Sequence, residues 1–172
     1  LESYFYVFLG VGLGGAIIQN GRPVRGWQGN AGEVGFMPTL PANASGDYLG
    51  RHFDLFRLYE LLSARGGEVR SLTAVAELLD HGDALVNTWL DHAAEGLAPM
   101  LIAAEYLLDP EAIIVGGAWP QALVDALVAR VSARLPGLRS PLMPTAAPLL
   151  PAALGSDAVA RGVATLPLHE LL

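Results

Sequence analysis

Near the start of the chain, Gly10-Val11-Gly12-Leu13-Gly14-Gly15 has the makings of an anion-binding turn. Glycine has no Cβ, so successive backbone N–H groups can approach an anion closely and form a concave nest of donors. Aromatic and β-branched residues flank the glycines on both sides, so the turn joins two strands. A strand after the turn, and no suitably placed acid about twenty residues on, separate it from a dinucleotide-binding fingerprint. A Walker A loop requires a lysine, and the chain has none. Taken alone, such a turn is equally an ordinary piece of strand punctuation.

Other chemistries are excluded more firmly. There is no cysteine, hence no disulfide framework and no thiolate metal site. His52, His81, His92 and His169 stand at spacings that match no zinc motif, and each reads as a surface or satisfied core histidine. All ten cations are arginines and the net charge is −7, which makes this segment a poor stand-alone ligand for nucleic acid. If a larger protein containing it binds DNA, another segment must do so. The first residues lack a basic n-region and a signal-peptide core, and the apolar runs break well before the ~18 residues of a membrane span. A cytoplasmic protein with no membrane contact is expected. The missing Met and the abrupt apolar start imply that something precedes residue 1, a trimmed chain being the alternative.

The elements that must position the glycines follow from pattern. With 52% hydrophobic and 16% charged residues over 172 positions, a sizeable core is expected. Tyr4 to Ile18 reads as strand, glycine turn, strand; Asn20-Gly21 is a hairpin signal, and a short strand should lie near Pro23 to Arg25. Residues 26 to 50 read as loop. Helices are predicted over Phe53 to Ala64, Leu72 to Leu79, a long one capped by Asp83 and kinked at Pro99, and Gln121 to Leu135. Ala112 to Val115 is an apolar strand running into Gly116-Gly117, a further short strand is placed near Leu142 to Thr145, and Ser156 should cap a final helix to about Leu166. Strands joined by helical crossovers make the fold α/β. The stripe Trp89, Leu90, Leu97, Leu101 reads as core packing, with a dimer face as the other option. Trp27 reads as a loop tryptophan covering the hairpin, with stacking on a ligand as the other option.

Several segments carry a resemblance to a known family. Leu9-x-x-Gly12-Leu13-Gly14-x-Ala16-Ile17, with Gly26, Gly32 and Gly35 after it, resembles the signature of the ROK family (repressor, open reading frame, kinase). Gly29-Asn30-Ala31-Gly32-Glu33-Val34-Gly35 is similar to its sugar loop, and Leu108 to Gly117 to its adenosine-side strand. Leu154 to Ala158 with Arg161 to Ala164 resembles its closing helix. The resemblance implies one actin-like, ribonuclease-H-like lobe over 1–172, with a mixed sheet and flanking helices. Within it, 1–50 would hold the glycine and sugar loops, 51–109 a helical segment, and 110–172 the adenosine-side strand and closing helices. It further implies that Gly12, Gly14 and Gly15 face nucleotide phosphates, that Gly116 and Gly117 let the backbone pass close to adenosine, and that Glu33, with Asn30 and Gly32, holds a sugar. An ionised carboxylate suits the sugar role, because it accepts from two neighbouring hydroxyls at once. The alternative for Glu33 is a loop carboxylate bonded to local backbone.

The chain departs from the family where metal and catalysis are concerned. Phe36 stands where the family usually has a histidine that touches both sugar and a structural zinc, and the cysteines that complete the zinc site are missing. A zinc-free loop is expected, with Phe53 and Phe56 packing where the metal would have held it, and weaker discrimination at the sugar group facing Phe36. The family's catalytic aspartate belongs upstream, and Leu1 to Val7 contains none, so no catalytic residue is assigned and the segment cannot transfer phosphoryl groups alone. ATP with Mg remains a possible cofactor by resemblance, and pairing into a dimer is common in the family. The reading favoured here is the sugar-binding half of a transcriptional regulator whose DNA-binding domain lies elsewhere. Half of an ATP-dependent sugar kinase is the alternative, and a degenerate scaffold the third.

Overall fold

The computed structural model describes residues 1–39, 47–66, 69–143 and 145–153. β1 (Tyr4–Leu9) and β2 (Leu13–Gln19) form an antiparallel hairpin, with Leu9 facing Leu13 across the glycine turn. Asn20 and Gly21 adopt φ of 52° and 72°, the paired left-handed conformation of a tight hairpin, and lead into β3 (Arg22–Pro23), slightly earlier than the sequence predicts. Two 3₁₀ turns follow, Val34–Phe36 and Leu49–Phe53. Three helices then cross over: α1 (Leu55–Ser63), α2 (Leu72–Asp80) and α3 (Ala84–Leu108). β4 (Ala112–Gly117), α4 (Gln121–Leu138) and β5 (Leu149–Pro151) complete the order. The sheet runs β3-β2-β1-β4-β5, with β1, β4 and β5 parallel and the β2 and β3 pairings antiparallel. It is the mixed sheet with flanking helices that the resemblance implies.

Alternation on β1 sends Phe5, Val7 and Leu9 into the core, where they are at most 1% exposed. Leu90, Leu97 and Leu101 on α3 and Leu123, Leu127 and Val131 on α4 are fully buried. Each such side chain contributes roughly 1.5–3 kcal/mol by leaving water. The apolar stripe of α3 is therefore core, and Trp89 packs on Trp119 with ring centroids 5.1 Å apart, so this stripe is not free to serve as a dimer face. α3 runs through Pro99 as one helix, held on both sides of the missing hydrogen bond by buried Leu97, Ala98, Met100 and Leu101.

Asp83 caps α3 as predicted: its carboxylate accepts from Leu85 N (2.8 Å) and Val86 N (3.1 Å) and pairs with Arg65 at 3.2 Å. The backbone N–H of Val86, aided by those of Leu85 and by Arg65, holds this carboxyl below its ordinary pKa against the opposing effect of partial burial. Asp83→Ala should cost about 1 kcal/mol. Because the folded-state pKa is depressed, this contribution is complete above the ordinary carboxylate range and is lost as pH falls through the folded value. Denaturant titrations of wild type and variant should differ at pH 7 and converge toward pH 3.

Two predicted features move. The strand placed near Leu142 to Thr145 is instead β5: Met143 N donates to Ser140 O in a turn, and Leu142 is 90% exposed. The strand's position is decided by long-range contacts. Arg139 grips the buried Glu105 (Nη2–Oε2, 2.8 Å) and also donates to Ala147 O, while Ile113 N donates to Pro148 O. That brings Leu149 to Pro151 alongside β4. Trp27, expected over the hairpin, is wholly exposed, because its loop is closed by Ala31 N donating to Arg25 O and projects away from the core. The predicted final helix from Ser156 lies outside the described residues. No helix among the described residues is long and apolar enough to cross a membrane.

Candidate functional site

Parallel pairing of β1 and β4 sets Phe8 against Gly116 and Leu9 against Gly117. The glycine turn and the Gly116-Gly117 pair thus meet at one end of the sheet. Ala118 N donates to Leu9 O at 2.8 Å, and the Trp119 indole Nε1–H donates to Gly10 O at 2.9 Å, so the exit of β4 pins the turn directly. Sequence reading missed this role of Trp119, although its place just after a glycine pair was the available signal.

The glycines divide by what a Cβ would meet. At Gly117, with φ 134°, it would strike the Leu9 carbonyl; at Gly116 it would strike Ala152 and the Tyr6 hydroxyl. Close packing alone requires both. At Gly15 it would lie 2.9 Å from the Phe5 ring and 3.0 Å from Gly32 O. Gly12 and Gly14 are different: a Cβ there meets nothing within 4 Å, and neither has positive φ. The fold does not demand glycine at these two positions.

The loop from Gly29 to Gly35 is docked on β2 through backbone. Gly32 (φ 94°) lies against Gly15 O, Gly35 against Leu13 O, and Gly50 against Gly35 O. Glu33 N donates to Asn30 O at 3.3 Å and Phe36 N to Glu33 O at 3.2 Å, which shapes the turn around the carboxylate. Glu33 stands at the N-cap of the first 3₁₀ turn, yet its side chain makes no capping hydrogen bond. It is exposed, as is Asn30. The local-backbone role weighed for Glu33 is thus not what the side chain does.

Two clefts flank the glycine turn, and Val11 borders both. One, of about 280 Å³, lies between Gly12 and the sugar-loop side, lined by Gly35, Phe36, Tyr48, Arg51 and Asp54. The other, of about 300 Å³, lies between Gly10, Ala118 and the helices, lined by Phe56, Tyr59, Arg70 and Ser71. Burial raises the Tyr59 hydroxyl above its ordinary pKa, so it is a neutral donor near neutral pH. Among the described residues no group of three or more His, Cys, Asp or Glu could hold a metal ion. His52 and His81 each meet a backbone carbonyl, of His92 and Glu77. Of the two phenylalanines expected to pack where a metal would have held the loop, Phe53 is buried against Trp119 and Phe56 is 67% exposed at the second cleft. They part because Phe53 closes the 3₁₀ turn on the core, whereas Phe56 lies on the outer face of α1.

The glycine turn and the docked loop lie within residues 1–51, the stretch that matches the model of the ROK family. The chain belongs to the ROK family. Its size and fold fit the C-terminal lobe of such a protein. It is 32% identical over 166 residues to the bifunctional enzyme NanE/NanK of Brucella melitensis, covering 93% of this chain and 30% of that one. It is 29% identical over 147 residues to the N-acetyl-D-glucosamine kinase of Escherichia coli, covering 76% and 47% respectively. Among solved structures, a ROK family protein from Streptococcus pneumoniae in complex with sucrose superposes with TM-score 0.77 at 23% identity, over all of this chain and 61% of the other. A ROK family transcriptional regulator, a homologue of the E. coli MLC protein, superposes with TM-score 0.72 at 19% identity, over 88% and 42%. At these identities the structural likeness is one of fold. The chain spans between about a third and a half of the length of the curated relatives named here.

Proposed function

We propose that this lobe binds a hexose or N-acetylated amino sugar through Glu33, with Asn30 and Gly32 shaping its loop, and forms half of an ATP-dependent sugar kinase. The observation that carries the kinase reading is the pair Gly12 and Gly14. Packing does not require glycine at either position: Gly12 lies in the turn and lines the first cleft, Gly14 follows as the second residue of β2, and side-chain-free backbone there suits an approaching phosphate. Gly116 and Gly117, explained by packing, act indirectly by letting β4 close on the turn. Gly15 likewise serves the docking of the sugar loop.

The second cleft fits a nucleotide by the chemistry of its lining. Phe56 and Tyr59 offer apolar and aromatic surface, Arg70 a cation and Ser71 a hydroxyl. ATP, when bound, would supply the phosphoryl group. This lobe's own part is to hold the sugar, offer backbone donors at the turn and keep the two ligands on either side of it. By resemblance, the carboxylate that takes the sugar proton belongs upstream of β1. The sugar-binding half of a regulator is the second reading, favoured by Phe36 standing where the family usually has a histidine and by a chain without cysteine. Sensing requires binding without transition-state stabilisation.

ATP-dependent phosphorylation of hexoses and N-acetylated amino sugars by the full-length protein separates the two readings. Turnover establishes the kinase. Sugar binding by calorimetry without turnover establishes the sensor. In either case Glu33→Ala should weaken sugar binding roughly 10- to 100-fold, the worth of a charge-assisted hydrogen bond; unchanged affinity would remove Glu33 from the site.

A further inference from the structure

The cleft of about 280 Å³ has an aromatic wall that no motif announces. Phe36 is 75% exposed and Tyr48 37%, and their rings lie 6.1 Å apart with planes tilted by 34°. The Arg51 guanidinium sits 5.2 Å from the centre of the Tyr48 ring, a cation–π contact that orients both groups. Phe36 ends the first 3₁₀ turn, while Tyr48 is the N-cap of the second and Arg51 lies within it. The two turns are clamped by a Pro38–Tyr48 bridge, by Leu49 N donating to Met37 O at 2.8 Å and by Thr39 Oγ1 donating to Asp47 Oδ2 at 3.2 Å. The wall is therefore preformed, and ring ordering need not oppose binding.

Its rim is polar. Arg51 makes no ion pair among the described residues. Asp54 caps α1 by accepting from Arg57 N with Oδ1, and it also lines the cleft. A phenylalanine ring left in water gains nothing, and one ring pair bordered by charges is far too small for a stable protein interface. An aromatic face with a donor and an acceptor at its edge instead matches a pyranose, which presents a face of C–H groups and a perimeter of hydroxyls.

We propose that Phe36 and Tyr48 are a stacking platform for the sugar ring, with Arg51 donating to and Asp54 accepting from its hydroxyls. The proposal rests on the sugar-binding reading and makes Phe36 a specificity-determining residue. It selects pyranoses with an unbroken C–H face over epimers that carry an axial hydroxyl on that face.

The test is calorimetry on the full-length protein with glucose and N-acetyl-D-glucosamine as probes, for wild type, Phe36→Tyr, Phe36→Leu and Phe36→Ala. Phe36→Tyr should keep affinity within about threefold, while Phe36→Leu and Phe36→Ala should each lose about tenfold, since leucine restores apolar area without a ring. Thermal midpoints should not move, because the ring is exposed. Wild-type affinity in Phe36→Leu overturns the platform. If Glu33→Ala still weakens binding in that case, the sugar reading stands without it. Failure of the wild type to bind either probe removes the sugar reading and the platform together.

Discussion

Trp119→Ala should destabilise the protein by about 3–5 kcal/mol, the range for deleting a large buried aromatic side chain. The indole is 1% exposed and fills the space between Trp89 and Phe53, with ring centroids 5.1 and 6.0 Å away. Part of the loss is specific to the site, because the indole N–H also holds the Gly10 carbonyl. Trp119→Phe keeps most of the packing and removes that hydrogen bond, so it should cost closer to about 1 kcal/mol beyond the lost area. Urea denaturation gives both stabilities, and amide hydrogen exchange at Gly10 to Gly12 reads the turn. Faster exchange in Trp119→Phe with little global loss is the expected pattern. Unchanged exchange would mean that the hairpin holds the turn without Trp119.

Gly32→Ala should be nearly as damaging, for a different reason. At φ 94° an L side chain is strained, and its Cβ would also collide with the Gly15 carbonyl oxygen. Strain of about 1–2 kcal/mol and overpacking of about 1–3 kcal/mol combine to a loss of about 2–5 kcal/mol. The loop can relieve the collision by leaving β2, which would carry Glu33 away from its place. Sugar affinity should therefore fall further than global stability requires. Gly29→Ala is the control, since Gly29 has φ 80° but open space around it. It should show the strain alone and leave Glu33 docked. Equal losses of affinity in the two variants would refute docking as the function of Gly32.

These two positions illustrate how differently the site was legible. The Gly12 to Gly35 signature could be read as one unit because its residues are local and their spacing is specific. The family, the α/β class, the hairpin at Asn20-Gly21 and the cap at Asp83 rest on short-range chemistry of the same kind. The reasons for the individual glycines were not legible. Gly15 and Gly32 were assigned to different ligands, yet they pack against each other: a Cβ at Gly32 would strike Gly15 O, and one at Gly15 would crowd Gly32 O as well as the Phe5 ring.

By itself, then, the sequence determined the order of strands and helices, the positions of the tight turns and which residues form the apolar stripes. These follow from backbone preference and from a periodicity of two or 3.6 residues. Tertiary structure alone decided which residues meet. β5 lies at Leu149 rather than Leu142 because Arg139, Glu105 and the β4 edge select it. Trp119 reaches Gly10 across 109 positions of sequence. Phe36 joins Tyr48 and Arg51 only because two 3₁₀ turns clasp the ends of one loop. Such contacts depend on how distant surfaces pack, and local sequence patterns carry no record of that partner choice.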